Sequence, residues 1–259
     1  MVRTETDGPV VSITLNRPEK RNPLDSATVD ALRETIADAG RNEVIRAVVI
    51  SGEGGAFSAG ADLAALERMQ TASFEENLAD SQRLADLFRE VYTSPLPIIA
   101  RVNGHAIAGG CGLAAVCDFS FAVKSAKMGF TEVGIGFVPA IVSVFIRQKI
   151  SETALRDLLL TGRLITSDEA ARVGLITEAV SEEDLNPRVD AVIQQISHGT
   201  SRSAVARTKA LLAALSGQSL DAALELAARA NAEARGTADC RAGVAAFLNK
   251  TRPPWAQPR

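Results

Sequence analysis

Gly55-Ala-Phe-Ser-Ala-Gly-Ala-Asp62 and, some forty residues later, Asn103-Gly-His-Ala-Ile-Ala-Gly-Gly-Cys-Gly112 decide how this chain reads. Each follows an apolar run of strand character, Arg46-Ala-Val-Val-Ile-Ser51 and Ile98-Ile-Ala-Arg-Val102, and each opens into a helix-like run, the first starting at about Ala61-Asp62. Glycine lets the backbone turn sharply and lets a ligand come close, while a helix start leaves peptide N–H groups without intrahelical partners. Two such ends aimed at one spot would offer a pair of donors to an oxygen that gains negative charge, which is an oxyanion hole.

Outward from these segments, Val10, Val11, Ile13 and Leu15 make a first strand, followed by turn chemistry at Asn16-Arg17-Pro18-Glu19. Asp25 or Ser26 can cap a helix through about Gly40, with Val29, Leu32 and Ile36 at helical spacing. Ser73-Phe-Glu-Glu76 is a capping-box pattern opening a longer helix with an apolar face of Phe74, Leu78, Leu84, Leu87, Phe88 and Val91, stopped by Pro95 and Pro97. Asp118 to Val123 and Lys127 to Phe130 continue the strand pattern, and beyond Pro139 the chain is mainly helical apart from Leu175 to Val180. Alternating strands and helices predict an α/β fold.

With 259 residues, 46% apolar content and 23% charge, the chain reads as a soluble globular protein. A net charge of −3 supplies no basic stripe for a nucleic-acid backbone, so nucleic acid is not an expected partner. No secretory signal and no membrane-spanning run is legible, and a cytoplasmic location is expected. Cys111, Cys117 and Cys240 form neither a disulfide pattern nor, with His105, a zinc spacing, so no metal is expected.

The wording and spacing of the two segments resemble the enoyl-CoA hydratase/isomerase, or crotonase, family, from Ile13-Thr-Leu-Asn-Arg-Pro-Glu-Lys20 to Gly243-Val-Ala-Ala-Phe-Leu-Asn-Lys250. The resemblance implies a spiral of ββα turns over residues 1–180 and a helical region over 181–259 that helps build a homotrimer, or a hexamer as a dimer of trimers. It implies an acyl-CoA thioester substrate with no further cofactor, and assigns the oxyanion-hole N–H groups to Ala61 and Gly109. Glu132, in Gly129-Phe-Thr-Glu-Val-Gly-Ile-Gly136, matches the glutamate that moves a proton at the acyl chain, and apolar neighbours would raise its pKa toward a working range. Arg21 and Pro23 match the loop that wraps the CoA nucleotide. Ala59, Asp62 and Leu63 border the thioester channel, with Asp62 serving foremost as a helix cap. Phe247 and Lys250 match positions that approach CoA, often from a neighbouring subunit.

One departure stands out. Many hydratases of the family carry a second glutamate directly after Gly-Gly-Cys, where this chain has Gly112. A carboxylate there would be expected to face the same cleft and hold water opposite Glu132. Hydration of a 2-enoyl-CoA is the leading expectation. Isomerisation of a β,γ-enoyl thioester with Glu132 as sole base is the alternative, and a catalytically silent acyl-CoA or RNA-binding protein is the rival from another class. Cys111 assisted by His105 as a nucleophile is a further, minor reading.

Overall fold

The computed structural model describes residues 1–60 and 62–256, and of Leu63 the side chain is not described. The chain opens with an antiparallel pair, β1 (Val2–Asp7) and β2 (Val10–Leu15), before α1 (Ser26–Arg41), which Asp25 caps through Thr28 N–H. Then come β3 (Ala47–Gly52), β4 (Ala56–Ser58), α2 (Leu63–Met69) and α3 (Phe74–Thr93), and after them β5 (Ile98–Val102), β6 (His105–Ile107) and α4 (Gly109–Val116). Next are β7 (Phe119–Val123), β8 (Lys127–Gly129), a 3-10 turn (Glu132–Ile135), α5 (Ala140–Ile146) and α6 (Glu152–Thr161). After β9 (Ile165–Thr166), α7 (Ser167–Arg172) and β10 (Glu178–Val180), the chain is helical: α8 (Glu182–Gly199), α9 (Arg202–Leu215), α10 (Leu220–Arg235) and α11 (Ala238–Leu248).

The strands divide into two sheets, β1-β2-β3-β5-β7-β10 and β4-β6-β8-β9. Each strand pair β3/β4, β5/β6 and β7/β8 gives its first member to one sheet and its second to the other before a helix begins, and equivalent strands of successive turns pair in parallel. Strand order therefore tracks chain order, so the backbone advances as a coil of ββα turns. This is the spiral that the resemblance implied, with the helical C-terminal region after it.

The main core lies between one face of the larger sheet and the helices α1, α3 and α4, with Ile13, Leu32, Ile50, Phe57, Leu87, Phe88 and Leu113 all buried. On the opposite face, Val49, Ile99, Phe121 and Val123 pack against Leu185 and Val189 of α8. Lys209 of α9 is also buried. Its ammonium donates to Asp118 Oδ2 (2.6 Å) and the Leu96 carbonyl (2.9 Å), which ties the helical region to the segments just before β5 and β7. Among the described residues no helix is long and apolar enough to cross a membrane.

Three differences from the sequence reading have simple causes. β1 has no counterpart there, because Val-Arg-Thr-Glu-Thr-Asp has no apolar face; it is an exposed edge strand held by backbone bonds to β2, and edge strands are commonly charged. Phe74 and Leu78, expected on the apolar face of α3, are exposed, since only Leu87, Phe88 and Val91 in its second half are buried against the core. The strand near residue 180 is shorter than Leu175 to Val180, with Leu175 and Ile176 bonded back to Ala170 in the turn after α7. The Ser73 capping box forms as expected, Ser73 N–H meeting Glu76 Oε2 at 2.8 Å.

Candidate active site

β4, β6 and β8 run side by side and parallel, so their C-terminal ends lie along one edge: Ser58 beside Ala106, and Ile107 beside Gly129. Each strand leads directly into a segment that the sequence singles out: β4 into Ala59-Gly60, β6 into Ala108-Gly109, and β8 into Phe130-Thr131-Glu132. Parallel pairing alone thus gathers residues far apart in the chain.

The two glycine segments touch. Gly60 has φ +84°, and a β-carbon on it would stand 2.9 Å from the Ile107 carbonyl oxygen, 3.0 Å from the Ala108 methyl and 3.3 Å from the Gly109 nitrogen. At Gly110 a β-carbon would fall 2.4 Å from the Ser58 carbonyl oxygen, so the start of α4 is pressed onto the end of β4. Gly109 is the first residue of α4, and its N–H has no acceptor among the described residues. Ala108 is bonded on both sides, N–H to the Gly129 carbonyl (2.8 Å) and carbonyl to Gly112 N–H (2.9 Å).

Ala61 lies outside the described residues. The helix expected to begin at Ala61-Asp62 begins instead at Leu63. Asp62 is its cap and accepts from Ala64 N–H at 2.9 Å, the capping role expected for it. The Ala64 N–H, then Lys20 and Arg17, hold the Asp62 carboxyl below its ordinary pKa, outweighing the upward push of burial.

Glu132 opens the 3-10 turn, and the turn closes on itself as Phe137 N–H donates to the Glu132 carbonyl (3.0 Å). Its carboxylate oxygen Oε2 is buried and has no hydrogen-bond partner among the described residues. Burial raises its pKa above the ordinary glutamate value, and only its own backbone N–H pulls the other way. A carboxylate so placed accepts a proton readily and has a free oxygen with which to do so.

Cys111 and Glu132 are close enough to influence each other. Burial, reinforced by the Glu132 charge and opposed by Gly129, pushes the Cys111 thiol up to about 12, so it stays protonated at neutral pH and cannot act as a ready nucleophile. His105 is exposed and accepts Lys127 N–H at Nδ1 (3.0 Å), which fastens β6 to the strand beside it.

Gly112 is fully buried in α4, and a β-carbon there would meet Phe88 Cε2 and Cζ at 2.9 Å and Val142 Cγ2 at 3.1 Å. The direction in which a second carboxylate would leave the backbone is therefore closed by an aromatic wall. Phe88 packs edge-on to Phe145 (centroids 6.0 Å apart), and Phe145 in turn to Tyr92 (5.5 Å). A side chain at 112, expected to face the cleft, would first meet the Phe88 ring.

Arg17, Lys20 and Arg21, the cations of the turn after β2, are divided between structure and solvent. Arg17 pairs with Asp25 and Asp62, and Lys20 approaches Asp62 at 3.6 Å. Arg21 is exposed, left-handed at φ 59°, and has no carboxylate partner among the described residues. Its carbonyl accepts Ala59 N–H (2.9 Å), and Leu24 N–H donates to the Gly60 carbonyl (2.8 Å), so the turn containing Arg21 and buried Pro23 is stitched to the first glycine segment. Phe247, 82% exposed, and Lys250, left-handed at φ 54°, stand at the end of α11; among the described residues no hydrogen bond or ion pair joins the Lys250 side chain to the cleft.

Several residues here have no place in the site as the sequence is read. Asn22 is buried beneath the turn; its amide donates to the carbonyls of Glu53 (2.9 Å) and Ala56 (2.8 Å), and its oxygen accepts Arg17 N–H (2.9 Å). Removing that side chain leaves two acceptors and a donor short of partners, each worth about 1–3 kcal/mol when buried. Asn22→Ala should therefore lose about 2–4 kcal/mol in urea unfolding. A loss below about 0.5 kcal/mol, the range of an ordinary surface change, would show that the turn is held by something else. Leu24 and Leu84 are the nearest side chains to the outward side of Gly109, at 3.7 and 4.0 Å from where a β-carbon would be, and give the cleft an apolar lining. Among the described residues no cluster of His, Cys, Asp or Glu could hold a metal ion.

Comparison with known proteins agrees with this fold. A Thermus thermophilus protein provisionally named enoyl-CoA hydratase is 44% identical over 254 residues, covering 98% of this chain and 99% of that one. A crotonyl-CoA hydratase of Syntrophomonas wolfei is 31% identical, over 96% of this chain and 95% of the other. The crystal structure of an enoyl-CoA hydratase from Mycobacterium smegmatis superimposes with a TM-score of 0.92 at 31% identity, covering 99% of each chain. The family described as enoyl-CoA hydratase/isomerase matches residues 5–258, and with both glycine segments, the spiral and Glu132 at one edge, the chain belongs to that family.

Proposed function

We propose that this protein stabilises the enolate of an enoyl-CoA thioester and adds water across its α,β double bond. The observation that carries the reading is the Glu132 carboxylate, with one buried oxygen that has no partner among the described residues, just after the strand next to the one that leads into Gly109. The Gly109 N–H, together with that of Ala61, holds the thioester oxygen as charge builds on it. Glu132 removes a proton from water as its oxygen bonds to the β-carbon; the π electrons move onto the thioester oxygen; the enolate then collapses and takes the proton back from Glu132 at the α-carbon. One carboxylate serves both transfers when both occur on the same face. No cofactor beyond the CoA of the substrate enters this scheme.

Arg21 and the backbone around Pro23, with Ala59, Asp62 and Leu63, border the CoA and thioester path in this reading. Phe247 and Lys250 reach the CoA of a neighbouring subunit in a homotrimer or a dimer of trimers. The exposed apolar side chains Leu220, Leu224, Val244, Phe247 and Leu248 of α10 and α11 support such an assembly.

The aromatic wall at Gly112 favours a second reading. Water beside Glu132 would lack a second carboxylate to orient it, whereas moving a proton from the γ to the α-carbon of a β,γ-enoyl thioester needs one base and no water. Parallel assays separate the two: loss of the enoyl absorbance of crotonyl-CoA reports hydration, and its appearance from a 3-enoyl-CoA reports isomerisation. Hydration at a kcat/KM above that for isomerisation is the expected result; the reverse order assigns the isomerase. Binding of CoA thioesters with neither turnover would make the protein a silent acyl-CoA binder.

A further inference from the structure

Ala108 sits at φ 50°, ψ −124°. Arg21, by contrast, lies in the ordinary left-handed well at φ 59°, ψ 38°. The Ala108 conformation is that of the first central residue of a type II′ turn, where a β-carbon is disfavoured and glycine is the usual occupant. A β-carbon is nevertheless present, and its surroundings show what it does. It lies 3.0 Å from the position that a β-carbon on Gly60 would take, so the methyl abuts the first glycine segment at Gly60, while the same residue's peptide groups are fastened to Gly129 and Gly112. The next N–H in the chain is that of Gly109.

We propose that Ala108 is a positioning residue. Its methyl is a spacer that fixes the gap between the two glycine segments, and its strained backbone sets the direction of the Gly109 N–H. This inference rests on the enolate reading above. Strain of this kind persists only when surrounding contacts over-determine it, and here three fixed neighbours, Gly60, Gly129 and Gly112, do so. The residue contacts neither acyl chain nor proton; it acts through Gly109 and Gly60.

The test compares Ala108→Gly with Ala108→Ser, which keeps the β-carbon. Glycine relieves the strain, so Ala108→Gly should melt at the wild-type temperature or above. Freed of the spacer, it should lose about tenfold or more in kcat with KM within about threefold, the pattern of an interaction made chiefly in the transition state. Ala108→Ser should recover most of that rate. A second readout does not depend on turnover: bound acetoacetyl-CoA ionises to an enolate with its own ultraviolet band, and Ala108→Gly should show a smaller enolate fraction than wild type at the same pH and saturation.

Equal kcat and equal enolate fraction in Ala108→Gly overturn the inference, as does an Ala108→Gly protein that fails to fold, since the methyl would then be structural. Wild-type protein that neither turns over an enoyl-CoA nor ionises acetoacetyl-CoA overturns the enolate reading itself, and this inference with it.

Discussion

Glu132→Gln is expected to lose about 10²-fold or more in kcat while CoA thioesters still bind, because the change is nearly isosteric and removes only the titrating group. The pH dependence has its origin in the same burial. As a base Glu132 must be ionised, so wild-type kcat/KM should fall as pH drops through a midpoint above 4.5, the ordinary value from which its pKa is raised. That limb should be absent from whatever activity the glutamine variant retains.

Stability moves the other way. A glutamate whose native pKa is raised binds its proton more tightly in the folded than in the unfolded chain. Its contribution is fully present below the unfolded pKa and is lost as pH rises through the raised native value. Above that raised value the wild-type protein carries a partly desolvated charge that Glu132→Gln removes, and there the variant should melt at an equal or higher temperature. Steady-state kinetics from pH 4 to 9 and thermal melts on one preparation check both; near-wild-type kcat on the best substrate would take Glu132 out of the mechanism.

Gly112→Glu has the largest expected effect on stability. Its β-carbon alone would overlap the Phe88 ring at 2.9 Å and crowd Val142 at 3.1 Å, an overpacking worth about 1–3 kcal/mol. The carboxylate beyond it would be pressed into the Phe88, Phe145 and Tyr92 wall, at a further cost of several kcal/mol for an unpaired buried charge. At about 2–4 °C per kcal/mol for a chain of this size, the melting temperature should fall by about 10 °C or more.

Gly112→Ala should show the overpacking term by itself, a fall of several degrees at most. Combining Gly112→Glu with Phe88→Ala opens the occupied space, so the double variant should be less destabilised than the two single losses added, with a coupling of about 0.5–3 kcal/mol. A Gly112→Glu protein melting within about 2 °C of wild type would show that Phe88 yields easily. A new carboxylate could then enter the cleft, and the single-base account would lose its physical basis.

The elements that local chemistry controls were legible in the chain. Val29, Leu32 and Ile36 at helical spacing behind Asp25, and the Ser73-to-Glu76 box, are signals carried by residues within a turn of one another, and the helices they open are present. Alternation of strands with helices foretold an α/β fold, while the spiral was implied only by the resemblance to the family. Failures cluster where a residue's fate depends on a distant neighbour: β1 has no pattern of its own and is a strand only because β2 pairs with it. Nothing near Arg17 and Lys20 in the chain names both of their partners, Asp25 and Asp62, which only the fold brings together around them; among the described residues Arg21 is left without a carboxylate.

At the site the same division holds. The residue types were set by the sequence alone: glycines where two backbones meet, a glutamate among apolar neighbours, and no carboxylate at 112. Only the tertiary structure decided that parallel pairing of β4, β6 and β8 carries Gly60, Gly109 and Glu132 to one edge, that Phe88 from another helix fills the space before Gly112, and that Asn22 props the turn from below. Periodicity and capping are interactions between neighbours in the chain, whereas volume exclusion, buried hydrogen bonding and the strain at Ala108 exist only once remote segments compete for the same few ångströms.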